Sequence, residues 1–204
     1  MSGDAVKAII FDWGGVLMRT QDRSGRDEWD RKLGLPQGGV ERVVHGSEAW
    51  NEVQRGERSD TSYWQVVAEQ LGVPPGDIPQ LRRDFYRGDR LDPDLIDLIH
   101  NLKARGHKVG LMSNNSLALL DLIEEHGLTD PLDGVVISAQ IGVMKPAPGA
   151  YQAILDKLGV SAPDAVFIDD FPRNVEGARA VGMQAIHFQP GINLPATLRS
   201  LLDA

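Results

Sequence analysis

Asp12 closes an apolar run, Ala8-Ile9-Ile10-Phe11, and Trp13, Gly14 and Gly15 follow it directly. A run of this kind reads as a buried strand that delivers one carboxylate to the edge of a sheet, where glycines let the backbone approach a ligand closely. Three later segments repeat the plan. Ser113 follows the apolar stretch ending at Met112, Lys145 lies in Ile141-Gly-Val-Met-Lys-Pro146, and Asp169 with Asp170 closes Ala165-Val-Phe-Ile168. In a parallel α/β sheet the ligand sits where the carboxyl ends of the strands meet their loops, so these polar residues are expected to converge.

Their types suit phosphoryl transfer. A carboxylate can attack phosphorus and form an acyl phosphate, and the charge spread over the phosphoryl oxygens calls for a cation and hydrogen-bond donors around them. Lys145 supplies a fixed positive charge, and Ser113 and the backbone N–H groups around Gly14–Gly15 supply donors. Asp12, Asp169 and Asp170 are the donor set that Mg²⁺ favours, a few carboxylates completed by water and substrate oxygens.

The elements needed to position these groups are legible from about Asp92 onward, where helix and strand alternate. Asp92-Pro93 is an N-cap followed by a first-turn proline, and Leu95, Ile96, Leu98, Ile99 and Leu102 form a helical stripe. Strands are predicted at 107–112, 134–138, 165–168 and 184–188, and helices at 116–126, 148–158 and 174–181. With Val6–Phe11 this makes a Rossmann-like core of five parallel strands, formed by residues 1–17 and 91–204. Residues 18–90 break the alternation and read as a helical module inserted after the first strand. Short helices are predicted there at 27–33, 39–44, 48–54, 62–71 and 78–86, separated by joints such as Gly72-Val-Pro-Pro-Gly76.

Bulk properties narrow the function. The 204 residues carry a formal charge of −8, which disfavours nucleic acid or an anionic membrane as the main partner. Without cysteine the chain has no disulfide, thiolate nucleophile or zinc–sulfur site, in keeping with a reducing cytosol. No apolar run is long enough to span a bilayer and the first residues lack a signal-peptide layout, so a cytoplasmic protein, monomeric or weakly homo-oligomeric, is expected.

The segments Phe-Asp-Trp-Gly-Gly-Val-Leu, Leu-Met-Ser-Asn-Asn, Met-Lys-Pro-Ala-Pro-Gly-Ala-Tyr and Phe-Ile-Asp-Asp-Phe-Pro-Arg-Asn resemble, in order, the four motifs of the haloacid dehalogenase-like hydrolases. The insertion is similar to the helical cap of that family's cap-type-one members. The resemblance implies that Asp12 is the nucleophile, Ser113 the phosphate-binding hydroxyl, and Lys145 the cation stabilising both. It further implies Mg²⁺ held by Asp12, Asp169, Asp170 and the backbone carbonyl of Gly14, with Asn174 organising the last loop. Trp13, Gly15, Ser113, Asn114 and Lys145 are then the candidate contacts to a small phosphorylated substrate.

One position departs from the pattern. Many phosphatases of the family carry a second aspartate two residues after the nucleophile, where it protonates the leaving group; here that residue is Gly14. General acid catalysis is worth roughly 10²–10⁴-fold, so an acidic leaving group is expected, such as that of an anomeric sugar phosphate. Sugar-1-phosphate phosphatases and the phosphatase domains of epoxide hydrolases are similar overall. Two other readings stay open, a metal-independent dehalogenase in which Asp12 displaces halide, and a phosphate-ligand binder with weak catalysis.

The remaining features read as structural. The five histidines have no paired metal-ligand spacing, Arg19, Arg23 and Arg26 read as an exposed charged face, Trp50 and Trp64 as packing within the insert, and Gly142 as loop geometry.

Overall fold

A computed structural model describes residues 6–202. The first strand, β1 (Ala8–Phe11), is buried along its whole length. A short strand β2 (Met18–Thr20) follows, then α1 (Ser24–Lys32), α2 (Gly39–Gly46), α3 (Glu48–Gln54), α4 (Asp60–Leu71) and α5 (Ile78–Tyr86), and the chain returns through β3 (Asp89–Leu91). The remainder alternates: α6 (Pro93–Ala104), β4 (Lys108–Ser113), α7 (Leu119–Glu125), β5 (Gly134–Ile137), α8 (Ser138–Ile141), α9 (Pro148–Leu158), β6 (Ala165–Asp169), α10 (Pro172–Ala180), β7 (Gln184–His187) and α11 (Leu194–Leu202).

The main sheet has five parallel strands in the order β5-β4-β1-β6-β7, which puts β1 at its centre. Period-two alternation divides the side chains between two cores. Ile9, Phe11, Val166 and Ile168 face α6, α7 and α11, whereas Ala8, Ile10, Ala165 and Phe167 face α9 and α10. Because both faces are covered, the strand interiors are apolar and polar residues stand at their ends. This is an α/β fold of the expected class.

Helices α1–α5 pack on one another around a separate apolar cluster that includes Trp29, Tyr63, Trp64, Leu81 and Phe85. Arg26 does not lie on an exposed face as expected; it is buried. It donates to Phe85 O at 3.0 Å, pairs with Glu41 at 2.7 Å and Asp89 at 2.8 Å, and stacks on the Phe85 ring. Arg23 pairs with Glu41 and Arg19 with Asp92. These arginines clamp the ends of the insert.

Residues 18–20 and 89–91, expected at the margins of a wholly helical stretch, form an antiparallel ribbon instead. The insert also touches the core at a second place, where α3 packs on α8. No helix among the described residues is long and apolar enough to cross a membrane.

Candidate active site

The exit of β1 places Asp12 between the exits of β4 and β6, since Phe11 pairs with Leu111 on one side and Ile168 on the other. Asp12 N donates to Ile168 O, which extends the ladder by one residue and directs the side chain over the sheet's edge. Its Oδ1 accepts from Trp13 N at 2.7 Å and from Lys145 Nζ at 2.9 Å. The Trp13 side chain is buried in the core, so Trp13 meets the site through its backbone.

Lys145 is the hub. Its buried ammonium also donates to Asp169 Oδ2 at 2.7 Å and to Met112 O at 3.0 Å. The loop that carries it is held by Asn114, whose amide accepts from Lys145 N at 2.8 Å and donates to Lys145 O at 2.9 Å. With both ends engaged, Asn114 ties down the loop that carries the lysine. Ser113 is buried at the end of β4, and its hydroxyl takes no hydrogen-bond partner among the described residues.

Asp169 is fully buried at the end of β6 and thoroughly bonded. Phe171 N donates to its Oδ1 at 2.8 Å, and the Asn174 amide donates to both of its oxygens at 3.1 Å. Tyr151 Oη donates in turn to Asn174 O at 2.7 Å. Tyr151 was not singled out by the sequence reading, although it ends the Lys145 segment; a tyrosine three residues into a helix gave no signal of where its hydroxyl would reach. The acidic doublet does not cap α10, whose N-cap is Phe171 without a side-chain bond.

Ligand atoms of Asp12, Asp169 and Asp170 all lie within 4.8 Å of one another. Three carboxylates and one lysine leave a net charge of −2 when all are ionised. Burial pushes the Asp12 carboxyl up to about 7, against the pull of Lys145, and the neighbouring Asp169 adds to the rise. Asp170 is raised by burial and then by Asp169, and its Oδ1 is buried with no hydrogen-bond partner among the described residues. A divalent cation resolves both problems together, cancelling the excess charge and giving the orphaned oxygen a partner. The donor set therefore fits Mg²⁺.

The two glycines after Asp12 occupy different environments. Gly15 has φ of +79°, and a Cβ there would run into the Asp170 carboxylate. At Gly14 a Cβ would meet nothing within 4 Å. The first is required by the backbone and by Asp170, whereas the second leaves open space beside the nucleophile.

A profile of haloacid dehalogenase-like hydrolases matches residues 6–182. The chain belongs to that family. Among similar haloacid dehalogenase-like proteins, a sesquiterpene phosphatase of Aspergillus oryzae is 30% identical over 96% of both chains. A phosphatase of Mycobacterium tuberculosis is 33% identical over 89% of this chain and 86% of its own. The same fold is seen in a family enzyme of Bacteroides thetaiotaomicron solved with magnesium and inorganic phosphate, at TM-score 0.79 and 19% identity, covering 95% of this chain and all of that one.

Proposed function

We propose that this hydrolase is a Mg²⁺-dependent phosphatase acting on a small phosphomonoester through an aspartyl-phosphate on Asp12. The observation that carries the reading is the gathering of Asp12, Asp169 and Asp170 within 4.8 Å, with Lys145 bridging Asp12 and Asp169 and a buried, unpaired oxygen on Asp170. Magnesium and phosphate in the Bacteroides enzyme and the phosphatase names of the two relatives support it.

Each residue then has a task. Trp13 N and Lys145 hold Oδ1 of Asp12, which leaves Oδ2 free to attack phosphorus. The Oδ2–P bond forms as the P–O ester bond breaks, and the ester oxygen departs with the electron pair. Lys145 and Ser113 face the charge that develops on the phosphoryl oxygens. Asp12, Asp169, Asp170 and the Gly14 carbonyl would hold Mg²⁺, which when bound lowers the repulsion between the anionic nucleophile and an anionic ester. Asn174 and Tyr151 keep Asp169 oriented. Water then opens the aspartyl-phosphate, releasing phosphate and restoring Asp12. The helical insert acts as a cap that excludes bulk water while closed.

The test is hydrolysis of acetyl phosphate and aryl phosphates by the purified protein with Mg²⁺ or with EDTA, alongside Asp12→Asn. Turnover that needs both Mg²⁺ and Asp12 is expected. Turnover that survives in Asp12→Asn overturns the mechanism. Halide release from 2-haloacids unaffected by EDTA would establish the dehalogenase reading instead, and tight phosphate-ester binding without turnover the binder reading.

A further inference from the structure

We infer that the alcohol half of the substrate is apolar, a hydrocarbon or aromatic group, and that Leu117 and Phe171 select it; the inference rests on the phosphatase reading of the site. Six large apolar side chains are exposed among the described residues, and three of them, Leu117, Ile141 and Phe171, follow β4, β5 and β6. Those are the strand exits whose loops supply Ser113, Lys145 and Asp169–Asp170.

Chain length keeps all three close to the site. At about 3.3–3.6 Å per residue, Phe171 lies within roughly 7 Å of Asp169 along the backbone, and Leu117 and Ile141 within roughly 14 Å of Ser113 and Lys145. The β4 and β5 loops are also drawn together, with Asn115 N donating to Ser138 Oγ at 3.1 Å. Ile141 sits where the insert meets the core, because Gly56 backs onto the Ala139 carbonyl and α3 packs on α8.

Singly, an exposed apolar residue means little; three that each follow a strand exit of the same sheet, with Leu117 52% and Phe171 54% exposed, are a different matter. Several polar atoms beside Leu117 are already engaged, although Gln140 and Arg173 stay exposed. Asn114 is spent on Lys145, Asn115 Oδ1 accepts from Ser116 N, and Gln140 Oε1 accepts from Ile137 N. A polyhydroxylated leaving group laid over Leu117 and Phe171 would exchange water for carbon without gaining hydrogen bonds there, which is unfavourable. An apolar one would cover Leu117 and Phe171. This turns the expectation away from sugar phosphates.

The experiment compares n-hexyl phosphate with glycerol 3-phosphate, whose leaving alkoxides are both aliphatic, using acetyl phosphate as the reference. In the wild-type protein kcat/KM is expected to favour the hexyl ester by at least roughly tenfold, the scale on which an apolar pocket discriminates. Phe171→Asn and Leu117→Asn are each expected to shrink that ratio severalfold, chiefly through KM for the hexyl ester. Equal use of the two esters, or preference for glycerol 3-phosphate, overturns the inference while leaving the phosphatase reading intact. A wild-type preference that neither variant changes overturns the assignment to these residues. No turnover of any ester, acetyl phosphate included, refutes the phosphatase reading and the inference with it.

Discussion

Gly14→Asp is expected to add activity to this enzyme. Open space lies where its Cβ would go, and its backbone is outside the left-handed region, so an aspartate fits without strain. Placed beside Asp12, that carboxyl can protonate a departing alkoxide, an effect worth roughly 10²–10⁴-fold for general acid catalysis. The gain depends on how much the leaving group needs the proton. For alkyl phosphates kcat/KM should rise by about 10²-fold, whereas for 4-nitrophenyl phosphate it should change less than about twofold. A fourth carboxylate also joins a cluster already at net −2, which strengthens its attraction for a divalent cation, so the variant should require less Mg²⁺ for half-maximal activity. Gly15→Ala is the internal contrast. The left-handed conformation costs an alanine about 1–2 kcal/mol, and its Cβ displaces Asp170, so activity should fall at least tenfold on every ester. The assay is a plot of log kcat/KM against leaving-group pKa, which should be steep for the native protein and flatter for Gly14→Asp. Parallel lines for the two proteins would refute the reasoning.

Asp12→Asn should stabilise the metal-free protein at alkaline pH. The Asp12 pKa is raised to about 7 in the folded state, so between about 4 and 7 the folded chain holds the extra proton and stability falls as pH rises; urea midpoints in EDTA should favour the variant at pH 8 and converge near pH 4, and a gap independent of pH contradicts this. Lys145→Met strands Asp12 and Asp169 without their buried cation, and urea unfolding at pH 8 in EDTA should show a loss of about 3–5 kcal/mol. His45, whose ring is crowded by Trp50, Phe85 and Tyr86, is lowered to about 4 by burial and then by Arg26. The unfolded chain thus binds the extra proton between about 6.5 and 4, and stability is lost as pH falls through that window. His45→Gln should flatten this slope by on the order of 1 kcal/mol, an amount reduced because solvent still reaches the ring; an unchanged slope would acquit the histidine.

Strand exits were the legible part of the chain because a sheet buried on both faces leaves polar residues nowhere else to stand. Asp12, Ser113 and Asp169 could be placed from that alternation, and Glu48–Gln54, Ile78–Tyr86 and Pro148–Leu158 appear at the predicted bounds. The ribbon of β2 and β3 was illegible for the opposite reason. Met18-Arg-Thr20 and Asp89-Arg-Leu91 are too short and polar to show a period, and each becomes a strand only against a partner some 70 residues away. The burial of Arg26 likewise depends on acceptors from α2, α5 and β3. Asn114 reads from its type as a ligand contact; its two bonds to Lys145 exist only once the β4 and β5 loops are side by side. The predicted helix at 116–126 begins late, at Leu119, for a related reason: Asn115 and Ser116 are spent on the loop.

The ribbon also bears on how such an enzyme can change its diet. The chain departs at Met18 and comes home at Leu91, residues that pair directly, and Asp92 N reaches across to Leu17 O at 2.9 Å. Entrance and exit of the helices are thus stitched into a single doorway, and whatever hangs from it begins and ends at the same spot. Closing a longer or shorter segment between such fixed posts adds little entropic penalty, since each doubling of length adds only about 0.6 kcal/mol. The helices can be lengthened, trimmed or exchanged wholesale while the carboxylates below stay in register, so a new appetite need not disturb the old chemistry.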